Sequence, residues 1–316
     1  MMNYNFSEIT YPSKDGKNTV YACLYTPKHC TARGIVQIVH GMVDHIERYE
    51  QLADFLTGEG YIVAGNNHLG HAKTAPTEEE LGYFGDESAL DFLVSDIHTL
   101  NRYLRDTFPA LPLVIFGHSM GSFLTRLYIE KHPNSIKGAI IHGTSGPLRV
   151  VGAGKLLASL IIKARGRRHR SELLARIAFM GYNSHFDKSE GDFAWLSRDV
   201  EAIKPRDSDP YAKFLFTVSA YKDLFSMLER CNKKSWFENY PAALPTLVVS
   251  GDEDPVGQYG KGPKIVYKKL LVAGAKGVSL KIYSGARHEL FLETNRQEVF
   301  SDLLVWLNGV TDTAMA

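Results

Sequence analysis

The chain has 316 residues, of which 44% are hydrophobic and 22% charged, a composition typical of a globular protein with a sizeable core. Its formal net charge of +1 gives no overall electrostatic reason to expect a nucleic-acid partner. The amino end lacks a signal-peptide pattern, and no apolar run approaches the roughly 18 residues of a membrane span. The three cysteines (Cys23, Cys30, Cys231) fit neither a disulfide framework nor a zinc motif, so we expect a cytoplasmic protein.

Short apolar runs alternate with longer amphipathic segments, a pattern typical of a largely parallel sheet covered by helices. The sequence predicts strands, in chain order, at 20–25, 34–39, 61–64, 111–116, 137–141, 245–254 and 278–283. It predicts helices around 49–56, 93–104, 122–132, 264–271 and 300–307, most of them from apolar residues that share one helix face. We therefore expect an α/β core.

The alternation stops between residues 146 and 235, where helical segments predominate. We interpret this region as a helical cap, inserted into a core formed by residues 1–145 and 236–316. A cap of this kind forms a wall of the substrate pocket, and its apolar side chains are candidates for that wall: Leu156, Leu157, Leu160, Phe179, Phe214, Phe216 and Phe225. The basic segment 163–170 suggests either transient contact with an anionic lipid surface or, as we favour, a solvated helix end.

The segment Gly117-His118-Ser119-Met120-Gly121 is the strongest chemical signal in the sequence. It follows a predicted buried strand and precedes a predicted helix, and in that context a GxSxG serine lies on a sharp, strained turn as a nucleophile. Gly117 and Gly121 leave room for the neighbouring strand and helix. The helix amino terminus also favours negative charge at the site.

A serine nucleophile needs a base, and the base needs an orienting carboxylate. His288 follows the strand predicted at 278–283, and three carboxylates (Asp252, Glu253, Asp254) follow the strand before it. The chain order serine, acid, histidine is the one that this strand-turn-helix arrangement uses. Spacing alone does not choose among the three carboxylates.

The motifs HGMVDH (40–45), NHLGH (67–71), GHSMGS (117–122), GDEDPV (251–256) and GARHELFLE (285–293) together resemble the α/β-hydrolase superfamily. Within it, the chain is similar to the monoacylglycerol lipase and lysophospholipase branch, which is also called serine aminopeptidase-like (S33). The resemblance extends over nearly the whole chain. It implies the α/β-hydrolase fold, with a mostly parallel central sheet, flanking helices and an inserted helical cap.

The resemblance also implies roles for individual residues. Ser119 would be the nucleophile, His288 the base and Asp254 the acid, and the backbone N–H groups of Met42 and Met120 would form the oxyanion hole. The loops that support the site would include His40, Gly41, His68, His71, Gly117 and Gly121. The chain departs from the family pattern at Asn67, where the family usually has aspartate, and at Val43-Asp44, where it usually has Gly-Glu.

Three functions are compatible with these motifs. The first is a serine esterase that acts on a small or lipid-like ester through an acyl-enzyme, and the second is an amidase or aminopeptidase. An aminopeptidase would need a cap carboxylate to bind an ammonium group, from Glu172, Asp187, Glu190, Asp192, Asp199 and Glu201. The third is a catalytically silent binding protein. The histidine spacings fit no metal motif and no phosphate-binding loop is present, so we expect neither a metal nor another cofactor.

Overall fold

The computed structural model describes residues 2–87 and 89–315. Eight strands form one sheet in the order β1-β2-β4-β3-β5-β6-β7-β8. The strands are β1 Tyr4–Pro12, β2 Thr19–Pro27, β3 Gly34–Val39, β4 Tyr61–Asn66, β5 Leu113–His118, β6 Gly138–His142, β7 Thr246–Gly251 and β8 Val278–Tyr283. β1 pairs antiparallel with β2, and β2 pairs antiparallel with β4. Every other neighbouring pair in this order is parallel, so the mostly parallel sheet is confirmed.

Helices cover both faces of the sheet. They are α1 Glu50–Gly58, α2 Ala89–Thr107, α3 Met120–Lys131, α4 Val151–Arg165, α5 Glu172–Ala178, α6 Val200–Ile203, α7 Pro205–Ser208, α8 Val218–Cys231, α9 Lys234–Glu238, α10 Lys261–Val272 and α11 Arg296–Met315. Buried residues of α2, α3 and α10 form a core on one face, and those of α1 and α11 form a second core on the other. Among the described residues, no helix combines the length and apolarity needed to cross a bilayer.

The edge strand β1 was not predicted. It pairs with β2 over its whole length, from Tyr4 opposite Pro27 to Pro12 opposite Thr19. Tyr4 and Phe6 contact the Tyr25 ring, whereas Ile9 packs against the core on the other face. The apolar side therefore changes along the strand, and the period-2 pattern that would predict it is interrupted.

The segment between β6 and β7 contains α4 to α9 and, in its described residues, no strand. A single isolated bridge, between Arg170 and Thr217, joins two of its parts. Thr217 caps α8 by accepting the Ala220 N–H, so this helix begins later than its apolar pattern suggested. The division into core and cap at 146 and 235 stays a prediction.

The basic segment 163–170 contacts the core, which neither interpretation of it included. Arg168 donates to Glu80 at 2.6 Å and lies 3.9 Å from the centre of the Tyr83 ring. Arg170 donates to the backbone carbonyls of Glu79 and Leu81, at 2.8 and 2.7 Å. These arginines attach the cap region to the loop after β4.

Candidate active site

Ser119 lies between β5 and α3 in a backbone conformation that side chains rarely adopt, with φ 54° and ψ −121°. Such a conformation costs on the order of 1–3 kcal/mol and persists only where the surroundings fix it. Here the Ser119 N–H donates to the His142 carbonyl at 3.0 Å, and the Ser119 carbonyl accepts the Ser122 N–H at 2.8 Å. These bonds hold the serine on the turn predicted from the sequence.

The two flanking glycines are required by close backbone contact. A Cβ at Gly121 would lie 1.9 Å from the Val39 carbonyl oxygen, and a Cβ at Gly117 would lie 2.5 Å from the Gly121 oxygen. Both distances are far below van der Waals contact with atoms that belong to backbone and cannot rotate away. Any larger residue would therefore move β3 or α3 and, with them, Ser119.

His288 and Asp254 form a buried hydrogen-bonded pair. Their Nδ1 and Oδ1 atoms are 2.9 Å apart, and the side chains are 2% and 0% exposed. An ionised carboxylate only accepts, so the Nδ1–H of His288 donates, and in the neutral ring Nε2 carries the free lone pair. That Nε2 has no hydrogen-bond partner among the described residues, and His288 lines the same cavity as Ser119.

The other two carboxylates after β7 have different surroundings. Asp252 accepts the Gly285 N–H at 2.6 Å and is half-buried, and Glu253 is exposed. Asp254 also accepts the Val256 N–H at 2.9 Å and the Ser250 hydroxyl at 3.2 Å. The structure thus brings only Asp254 of the three into contact with the His288 ring.

Met42 and Met120 both line the cavity beside Ser119. Within the described part of the chain, neither backbone N–H donates to another protein group. Gly41 lies against Ser119, since a Cβ there would be 3.2 Å from the Ser119 Cβ. The Met42 N–H comes from the loop after β3 and the Met120 N–H from the first residue of α3, and both meet at the serine, as an oxyanion hole would require.

Buried histidines support the loop that carries Met42. His40 Nε2 accepts the His68 N–H at 3.0 Å and His71 Nε2 accepts the Val43 N–H at 3.3 Å. Because these nitrogens accept, both rings are neutral, and their Nδ1–H groups donate to the carbonyls of Gly41 and Leu69. Burial lowers the pKa of His71 to about 4 and that of His68 to about 3, in keeping with this neutral form. Among the described residues, no three or more histidine, cysteine or acidic side chains are arranged so that they could hold a metal ion.

Asn67 keeps the hydrogen-bonding function expected of its position. Its Oδ1 accepts the Ile46 N–H at 2.9 Å, and its backbone carbonyl accepts the Thr74 hydroxyl at 2.8 Å. The replacement of an aspartate by asparagine therefore removes a charge but retains the acceptor.

An ion-pair network that was not predicted joins the loop after β3, which contains Met42 and Asp44, to the loop after β8, which contains His288 and Glu289. Arg48 donates to both carboxylate oxygens of Glu289, at 3.1 and 2.8 Å, and to Asp44 at 2.7 Å. Burial alone would raise the pKa of Asp44, but the Arg48 guanidinium holds it well below its usual range. Arg48 and Glu289 are 241 residues apart, so no local pattern could reveal the pairing.

The cavity beside Ser119 has a volume of about 820 Å³ and a largely apolar lining. Of the cap residues predicted for its wall, Phe179, Phe214 and Phe225 contribute to it. The prediction was wrong for Leu156 and Leu160, which are 64% and 57% exposed, and for Leu157 and Phe216, which pack in the core. The lining side chains that sequence reasoning missed include Leu148, Val151, Tyr182, Trp195, Tyr221, Leu224 and Leu228.

Two aromatic residues of the segment between β6 and β7 lie next to His288. The Trp195 ring is 5.2 Å from the His288 ring, and Tyr182 is 4.9 Å from Trp195, centroid to centroid. The side of the cavity at His288 is therefore aromatic. α8 contributes both aliphatic side chains, Leu224 and Leu228, and aromatic ones, Tyr221 and Phe225.

Comparison with known proteins identifies the family and agrees with the fold. The model of the serine aminopeptidase S33 family matches residues 31–295. Monoacylglycerol lipase of Mycolicibacterium smegmatis is 25% identical, over 97% of this chain and 99% of its own, and human monoglyceride lipase is 24% identical, over 92% and 88%. The structure of a thermostable carboxyl esterase from Bacillus coagulans in complex with glycerol is 30% identical, with a TM-score of 0.90 over 97% of this chain and 99% of that one. The chain belongs to the serine aminopeptidase S33 family and has the α/β-hydrolase fold.

Proposed function

We propose that the chain is a serine carboxylic-ester hydrolase in which Ser119 is the nucleophile, His288 the general base and Asp254 the orienting acid. The observation that carries the proposal is the 2.9 Å bond from His288 Nδ1 to Asp254. In the neutral ring this bond places the proton on Nδ1 and leaves Nε2 free to accept a proton, in a cavity that Ser119 also lines. This is the protonation state that a general base needs.

The proposed reaction begins when Ser119 Oγ attacks the ester carbonyl and His288 Nε2 takes the hydroxyl proton. The N–H groups of Met42 and Met120 stabilise the resulting oxyanion, where one donor is typically worth about 10²–10³ in rate. As the tetrahedral intermediate collapses, His288 returns the proton to the departing alcohol and an acyl-enzyme remains. Water, activated by the same histidine, then releases the acid.

The proposed substrate is an ester of one acyl chain with a small alcohol, of the monoacylglycerol kind. The names of the two relatives and the largely apolar cavity of about 820 Å³ support it. Since His288 must protonate the leaving alcohol, we place the alcohol beside Trp195 and Tyr182. The acyl chain would then lie against the aliphatic side chains of α8.

The cap carboxylates argue against an aminopeptidase. Of the six considered, only Asp192 lines the cavity, and it is exposed to solvent. Four of the others pair with basic side chains: Glu172 with Arg176, Glu190 with Arg287, Asp199 with Arg296 and Glu201 with Lys204. Binding a substrate ammonium group in an apolar cavity requires a desolvated carboxylate, which these residues do not offer.

A labelling experiment followed by a substrate panel tests the proposal. A fluorophosphonate probe should label the wild type and not Ser119→Ala, with both proteins folded by circular dichroism. Absence of labelling would instead favour a catalytically silent protein. p-Nitrophenyl esters and monoacylglycerols should be hydrolysed at least about 10²-fold faster, by kcat/KM, than aminoacyl anilides. The opposite order of rates would favour the aminopeptidase.

A further inference from the structure

Val43 has a strained backbone, directly after the residue that carries an oxyanion N–H. Its φ is 52°, in the left-handed region, where a β-branched side chain is a genuine outlier. Glycine would adopt such a φ without cost, but valine does not. The valine conformation must therefore be held by its surroundings.

Two hydrogen bonds hold both polar groups of the Val43 backbone. Its N–H donates to His71 Nε2 at 3.3 Å, and its carbonyl accepts from the Arg206 guanidinium at 3.1 Å. His71 belongs to the core, after β4, whereas Arg206 belongs to α7 of the predicted cap. The strained residue is thus held between the core and the cap.

Arg206 is buried, with 8% of its surface exposed, and its polar contacts are few. Its guanidinium carbon is 5.0 Å from the centre of the Phe193 ring, and Nη1 is 3.9 Å from Glu289 Oε1. Glu289 already receives a two-pronged bond from Arg48 and does not depend on Arg206. Among the described residues, the Val43 carbonyl is therefore the one group to which Arg206 donates a hydrogen bond.

We propose that Arg206 is a positioning residue for the oxyanion loop: it holds the strained Val43 and thereby aims the Met42 N–H, so that the seated cap completes the site. The inference rests on the proposed function, since it assigns the Met42 N–H its oxyanion role. Asp44, on the other side of Val43, is fixed by Arg48 and by the Tyr49 hydroxyl at 2.7 Å. If Val43 relaxed to a negative φ, the backbone of Met42 would therefore move and that of Asp44 would stay in place.

A double-mutant cycle separates this role from general packing. Arg206→Met removes the donor and keeps a long apolar side chain. It should lower kcat about ten- to a hundredfold, as expected for the loss of a hydrogen bond from a charged donor. KM should change less than threefold. Arg206→Lys, which keeps a donor, should recover much of the loss. In a Val43→Gly background the same Arg206→Met change should cost threefold or less, because glycine needs no clamp.

Arg168→Met is the matched control, because it also removes a contact between a cap arginine and the core, but far from Val43. It should change kcat less than twofold. If Arg206→Met does not fold, the cycle is run with Arg206→Lys, with an expected loss of about threefold in the wild type and none in the glycine background. Equal losses from the Arg206 change in both backgrounds would overturn the proposal, as would a loss above tenfold from Val43→Gly alone.

The rate of Ser119 phosphonylation by the fluorophosphonate probe provides a second readout, independent of any ester substrate. It should follow the same pattern across the cycle, since attack at phosphorus also develops negative charge on an oxygen. A wild type that is labelled but hydrolyses no ester would defeat the proposed function while the labelling rates still decide the role of Arg206. A wild type that is not labelled at all would overturn both.

Discussion

Three consecutive positions after β7 carry carboxylates in different environments, and this difference has a measurable consequence. Asp254 is completely buried against His288, whereas Asp252 accepts only a backbone N–H in a turn. The motif context of Ser119 and His288 was enough to predict their places from the sequence. Choosing among the carboxylates was not possible from spacing, because adjacent residues reach a strand end equally well.

Asp254→Asn should lower kcat by roughly 10⁴, because an amide can donate to the imidazole and favours the wrong tautomer. Asp252→Asn should lower it less than tenfold. Steady-state kinetics with p-nitrophenyl butyrate, on variants whose circular dichroism matches the wild type, measure both. A larger loss from the Asp252 variant than from the Asp254 variant would show that another carboxylate orients the base.

At the scale of elements, strands buried on both faces were predicted well because their apolar runs are continuous. The strand β1 was missed because its apolar residues change faces. The prediction of which side of α4 faces the cavity was wrong. Leu156 and Leu160 share one side of α4, but that side faces solvent, while Val151 at the start of the helix lines the cavity. Which face of an apolar helix points inward depends on what packs against it, and a single sequence does not contain that information.

α8 offers a direct test of where the acyl chain lies. Leu224→Ala should change the ratio of kcat/KM for octanoyl over acetyl p-nitrophenyl esters by about tenfold, since a methylene contact in an apolar pocket is worth roughly 1–3 kcal/mol. Leu156→Ala, an equal truncation on the exposed side of α4, should leave the ratio unchanged. Parallel decreases for both esters in the Leu224 variant would place the acyl chain elsewhere.

At the scale of the whole molecule, the buried histidines predict sensitivity to acid. Burial lowers the pKa of five of them below the ordinary value of about 6.5, in three cases to about 3 or 4: His40, His68, His71, His118 and His142. Below pH 6.5 the unfolded chain binds protons at these positions that the folded chain does not. Their stabilising effect is therefore complete above pH 6.5 and is lost as the pH falls towards 4.

Three groups oppose this trend. Burial raises the pKa of Asp223 to about 7 and that of Asp96 to about 6. Burial alone would lower the pKa of His45, but its hydrogen bonds to Glu47 and Asp209 raise it. Each of these groups contributes up to about 1.4 kcal/mol per pH unit, and five act against three, so we expect the free energy of unfolding to fall by roughly 5 kcal/mol between pH 7 and pH 5. Urea denaturation at several pH values measures it. A flat or rising profile would contradict the neutral, buried state of these rings.

The place of the helical segment between β6 and β7 also affects how the protein acquires its activity. Ser119 precedes this segment, whereas Asp254 and His288 follow it, so no stretch of chain that ends before β7 contains all three side chains of the proposed triad. The connection from β6 to β7 is about four times longer than that from β7 to β8, which adds about 1.2 kcal/mol of closure entropy. During refolding, fluorophosphonate reactivity should therefore appear later than helical circular dichroism, because the nucleophile is formed locally and its base arrives last.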